Sequence, residues 1–68
     1  MESVARTTEI SARSETSFED AIRVGIERAT QSLRNVRGAW VKEQEVKIDN
    51  GEITAFQVIM KVTFELEN

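Results

Sequence analysis

The chain has no cysteine, no histidine and no tyrosine, and each absence removes a class of chemistry. Without cysteine there is neither a disulfide framework nor a thiolate metal site. Without histidine it lacks the commonest general base and the commonest transition-metal ligand. The nucleophiles that remain are ordinary Ser and Thr hydroxyls with no evident activating base, and no carboxylate spacing singles out a dyad. A non-enzyme is therefore expected. No apolar run approaches the roughly 18 residues of a membrane span, and the first residues lack a hydrophobic signal core. There is no excess of positive charge either: 9 basic residues stand against 12 acidic ones, for a net charge of −3. The basic residues are scattered from Arg6 to Lys61 and do not gather into the face that nucleic acid requires. The expectation is a soluble cytoplasmic protein with no nucleic-acid or membrane partner.

At 68 residues the chain is one domain, with little capacity for a core of its own. A domain of this size hides only about 60% of the surface its unfolded chain exposes. Small domains make up the shortfall with disulfides, metals or self-association. With cysteine and histidine missing, self-association is the device left.

What is present is strong periodicity. Val4 to Ala12 reads as a first strand, with Val4, Ile10 and Ala12 on one side and Thr7, Glu9 and Ser11 on the other. The polar stretch Arg13-Ser14-Glu15-Thr16 then breaks the alternation. A helix is predicted over Phe18 to Arg34, on an apolar stripe of Phe18, Ile22, Gly25, Ile26, Ala29 and Leu33. Thr16 or Ser17 is its N-cap, with Glu19 or Asp20 completing a capping box. Gly25, inside the stripe, predicts a close approach to the sheet, and Asn35 is the candidate left-handed C-cap.

Strand two spans about Val36 to Ile48 and strand three Thr54 to Leu66, joined by a turn over Asp49-Asn50-Gly51-Glu52. Asn-Gly between alternating runs is the signature of a type I′ hairpin, because both central residues need positive φ. A two-residue loop pairs Ile48 with Ile53, Val46 with Ala55, Gln44 with Gln57, Lys42 with Ile59 and Trp40 with Lys61. In strand three Phe56, Val58, Met60, Val62, Phe64 and Leu66 form an unbroken apolar row, the natural seat for the helix. The alternate row, Ile53, Ala55, Gln57 and Ile59, is also largely apolar. Together with Trp40, Gln44, Val46 and Ile48 it makes a second face that no intrachain element covers, and a patch of that kind marks association. The fold class is α+β: β-α-β-β, a three-stranded antiparallel sheet with one helix packed on one face.

These residues resemble the dodecins, small β-α-β-β proteins that form hollow dodecamers and commonly bind flavins. The similarity runs through Glu9-Ile10, Glu19 to Ala21, Ile26-x-Arg28-Ala29 and Leu33-Arg34-x-Val36-Arg37. It is most specific in Gln57-Val58-x-x-Lys61-Val62-x-Phe64-x-Leu66-Glu67. The resemblance implies a single domain over 1–68, a homododecamer, and flavin (riboflavin, FMN or FAD) or a similar aromatic molecule held at subunit interfaces. It implies that Gln57 hydrogen-bonds the ring edge. The position of the family's stacking Trp falls on Gly38, and the only Trp is Trp40, two residues on along the same strand face. Glu43-Gln44-Glu45 is more similar to members that lack the stacking Trp, some of them described as calcium-binding.

Two readings stand at each candidate. Trp40 is either a stacking platform or an interface plug. Gln57 either reads a ligand edge or pairs with Gln44 across the strands. Gly38 and Gln44 complete the candidate binding set. Glu43 and Glu45 are weak candidates for calcium, against a solvated or ion-paired role. The alternative function is an assembly without flavin, with a structural or divalent-ion role.

Overall fold

The computed structural model describes residues 2–66. Strand β1 covers Ala5–Ser14, helix α1 Phe18–Ser32, strand β2 Val36–Asp49 and strand β3 Glu52–Glu65. The sheet is antiparallel throughout, in the order β1-β3-β2, so β3 is central.

The β1–α1 corner is fixed by Ser14. This buried hydroxyl donates to Asp20 Oδ2 at 2.7 Å and accepts from the backbone N–H of Thr16 at 2.9 Å and Ser17 at 3.5 Å. Strand β1 therefore runs two residues beyond the expected Ala12. Ser17 is the N-cap, its hydroxyl accepting from the Asp20 N–H at 2.9 Å. The Asp20 carboxylate does not close the expected capping box. It faces Ser14 and Arg23, which sits 2.8 Å away. These hydrogen bonds, Ser14 first and Arg23 second, lower the Asp20 pKa below the usual carboxylate value.

The helix stops at Ser32, two residues short of the expected Arg34, with Leu33 as C-cap donating to Ala29 O. Asn35 does adopt the left-handed conformation, at φ 61°, but it serves the turn into β2 rather than the helix end. At the hairpin, Asn50 and Gly51 have φ 55° and 78°, the positive values a type I′ turn demands.

The helix lies over β1 and β3 and barely reaches β2. Beneath it Val58, Met60 and Val62 of β3 are almost fully buried with Ala21, and Ile10, Ala12, Phe18, Ile22, Ile26 and Val41 pack against this cluster. Phe18 meets Phe56 edge-on, ring centres 5.1 Å apart. Gly25 is where helix and sheet come closest: an added Cβ would meet Met60, Ala12 and Ile10. The buried apolar set among the described residues is small, and three of its six members are alanine.

A 15-residue helix is about 22 Å long, whereas 14-residue strands span roughly 46 Å. The β2–β3 ribbon therefore projects well past its helix, which accounts for the 52 Å long axis.

Candidate functional site

The open face carries the rung Thr7, Thr63 and Gly38, followed by three more across the sheet. Glu9, Lys61 and Trp40 form the first, Ser11, Ile59 and Glu43 the second, and Arg13, Gln57 and Glu45 the third. One ion pair crosses between strands and another runs along β2. Lys42 Nζ reaches Glu9 Oε1 at 3.3 Å, and Lys47 Nζ reaches Glu45 Oε1 at 3.2 Å. Arg13 Nη2 donates to Gln57 Oε1 at 3.4 Å.

The pairing departs from the expected register over one stretch in mid-strand and again at the start of β2, where Val36 faces Phe64. Ile48 faces Ile53 and Trp40 faces Lys61 as expected, but Gln44 faces Val58, Glu45 faces Gln57, Val46 faces Phe56 and Glu43 faces Ile59. The cause in mid-strand is two extra residues, Thr54 in β3 and Lys42 in β2, that stand outside the one-to-one pairing. A one-residue slip exchanges the two faces of a strand. Gln44 and Val46 thus join the helix-side row, and Glu43, Glu45 and Lys47 take their places on the open face. The proposed Gln44–Gln57 amide pair is not formed. Thr54 anchors its bulge by donating to Lys47 O at 3.2 Å.

The candidate binding residues divide between two hollows. Gln57 borders one of about 470 Å³ with Glu43, Gln44, Glu45 and Ile59. Gly38 and Trp40 border another of about 500 Å³, walled by Ile22, Ile26, Thr30, Val36, Arg37, Ala39, Val41 and Met60. This second hollow is the strip of β2 that the helix leaves uncovered. Trp40 is 53% exposed beside it, and no atom lies within 4 Å of where a Gly38 side chain would begin. Trp40 sits opposite Lys61, four residues along β3 from Gln57, which is about 13 Å. Within one chain Trp40 and Gln57 border different hollows.

No group of three or more acidic side chains suited to a metal ion exists among the described residues. Glu43 and Glu45 share the open face, but Glu45 is already paired with Lys47. Calcium takes six to eight oxygens, so a site here requires donors from outside the chain.

Sequence reading missed Arg13, which stands in hydrogen-bond contact with Gln57. The signal was present: Thr7, Glu9 and Ser11 alternate on the open side, and Arg13 is the next member of that row. Ending the strand at Ala12 concealed it. The apolar wall of the second hollow is equally hidden in the sequence, because Ile22 and Ile26 belong to the same helix stripe that packs on the core.

An open three-stranded sheet with one helix on one face, in β-α-β-β order, is the dodecin fold. The dodecin family model matches residues 4–67, and the chain belongs to that family. The dodecin from Streptomyces davaonensis is 37% identical and superposes with a TM-score of 0.93, each chain covered completely at 100%. That from Streptomyces coelicolor is 30% identical with a TM-score of 0.91, over 97% of this chain and 94% of that one. The calcium dodecin of Mycobacterium tuberculosis, described as a calcium-chelating antigen, is 32% identical with a TM-score of 0.82, over 96% of this chain and 93% of that one. No curated protein matched. No helix among the described residues is long and apolar enough to cross a membrane.

Proposed function

We propose that the chain is a single domain over residues 1–68 that assembles into a closed cytoplasmic homo-oligomer, a dodecamer, and sequesters a flavin or a similar aromatic molecule between subunits without catalysing a reaction. The observation that carries this reading is the division of the candidate set. Gln57, Trp40 and Gly38 all stand on open-face rungs, but Gln57 borders one hollow while Trp40, about 13 Å along the sheet, and Gly38, about 20 Å along it, border the other. A planar ligand that uses both an aromatic wall and an amide edge needs these from two subunits. The small buried core gives the same chain a reason to self-associate, since its open face and the β2 strip have no cover of their own. Point-group closure is the usual outcome for such homo-oligomers.

The residues suit a flavin in two respects and depart in one. Gln57 offers both an acceptor and donors to a heterocycle edge. Trp40 presents an exposed indole. Gly38 offers no stacking surface, so binding is weaker than in dodecins that carry Trp there. Quenching of riboflavin, FMN and FAD fluorescence on titration tests the reading, because stacking quenches free flavin. Unchanged fluorescence at saturating protein contradicts it.

The second reading, an assembly with a structural or calcium-binding role, draws on the resemblance to the calcium dodecin and on Glu43, which has no cationic partner among the described residues.

A further inference from the structure

We propose that Arg13 is a specificity-determining residue, which together with Gln57 forms a donor–acceptor–donor row that reads the imide edge of a planar heterocycle. This rests on the aromatic-ligand reading above and names the part of the ligand that is recognised.

The orientation of a glutamine amide is decided by its neighbours. Arginine carries only donors, so the amide atom facing Arg13 is oxygen. The contact is Arg13 Nη2 to Gln57 Oε1 at 3.4 Å, between residues directly paired across β1 and β3. Gln57 Nε2 is thereby turned away from Arg13, with Glu45 as the pairing neighbour on the other strand. An amide oxygen has two lone pairs, so Oε1 still accepts a second hydrogen bond. The guanidinium keeps further N–H donors beside it in a fixed planar fork. Among the described residues no carboxylate holds Arg13: its partner is the amide alone, whereas Lys42 and Lys47 on the same face are ion-paired.

The result is a sequence of donor from Arg13, acceptor from Gln57 Oε1 and donor from Gln57 Nε2. Its complement is an acceptor–donor–acceptor edge, which is a ring N–H flanked by two carbonyls. Cyclic imides and pyrimidinediones have that edge, and the pyrimidine ring of an oxidised flavin is one of them. A free glutamine would read only half of it and in either orientation. Arg13 fixes the orientation and supplies the third contact.

The test titrates the native oligomer with lumiflavin and with 3-methyllumiflavin, which differ only in the imide proton. Neither has a phosphate, so general charge attraction to Arg13 does not contribute. Native protein is expected to bind lumiflavin about tenfold more tightly, the weight of one well-placed hydrogen-bonding edge. Arg13→Ala is expected to bring the ratio to about two or less with oligomer mass unchanged, and Arg13→Lys, which keeps the charge but not the fork, to leave it intermediate. A methyl group excluded by bulk alone would keep its ratio in Arg13→Ala, which would overturn the role of Arg13. Equal binding of both probes by native protein would overturn the imide assignment and leave flavin binding standing. Binding of neither probe would overturn the flavin reading and this row with it.

Discussion

Gly25 and Met60 occupy the same small space at the centre of the fold: a Cβ on Gly25 would stand 2.5 Å from Met60 Cε and 3.0 Å from Ala12 Cβ. The glycine lets helix α1 descend onto β1 and β3, and Met60, 1% exposed, fills the gap it leaves. Gly25→Ala raises helix propensity by about 1 kcal/mol yet forces overpacking that costs about 1–3 kcal/mol. A net loss of about 1 kcal/mol is expected in chemical denaturation, with Gly25→Val clearly worse. Stabilisation by Gly25→Ala would show that the helix has room to lift.

Asp20 makes stability depend on acid. Its folded pKa lies below the ordinary carboxylate value because Ser14 and Arg23 hydrogen-bond the ionised form. A depressed folded pKa gives stability that is present above the unfolded carboxylate pKa, about 3.9, and is lost as pH falls through the folded value. Asp20→Asn should therefore flatten the acid limb of the stability profile below about pH 4 and leave the slope from pH 6 to 8 unchanged. An acid limb identical to that of the native chain would remove Asp20 as its source.

Much of the fold was legible because it is written in periodicities. The apolar row from Phe56 to Phe64, the stripe of α1 and Asn50-Gly51 each have one geometric solution. The bulges at Lys42 and Thr54 were not legible, and neither was the third irregularity at Arg37, since these are ordinary strand residues and a bulge is chosen by how sheet twist is accommodated. The effects of the first two cancel: one extra residue on β3 is followed by one on β2, so pairing at Trp40 and at Ile48 is as the turn dictates while Gln44 and Val46 between them change faces. The candidate residues were found singly, but their separation into two hollows depends on how far β2 extends beyond the helix, which only the folded chain reveals.

At Gly38 there is space for a ring. Nothing lies within 4 Å of a Cβ placed there, and the backbone is outside the left-handed region. Stacking of a planar base on an aromatic side chain is worth about 1–3 kcal/mol, so Gly38→Trp should tighten flavin binding roughly tenfold or more in a fluorescence titration. Trp40→Ala should chiefly weaken assembly, and flavin binding through it, since the indole wall and the amide edge meet only between subunits. Loss of flavin binding in Trp40→Ala with an intact oligomer would instead make Trp40 the stacking platform.

Calcium should matter little if Glu43 and Glu45 are only a solvated and ion-paired face. Ligand binding to the folded state raises stability by mass action. The melting temperature at millimolar calcium is expected to stay within about a degree of the chelator and magnesium controls. A rise specific to calcium would favour the ion-binding reading.

Self-assembly is the claim on which the rest depends, and sedimentation velocity measures it directly. The account predicts a single species of twelve times the 7.7 kDa chain mass, together with loss of both assembly and folding in Ile59→Asp, where a carboxylate joins Glu43 on the face to be covered. A native chain that sediments as a stable, folded 7.7 kDa monomer would contradict it.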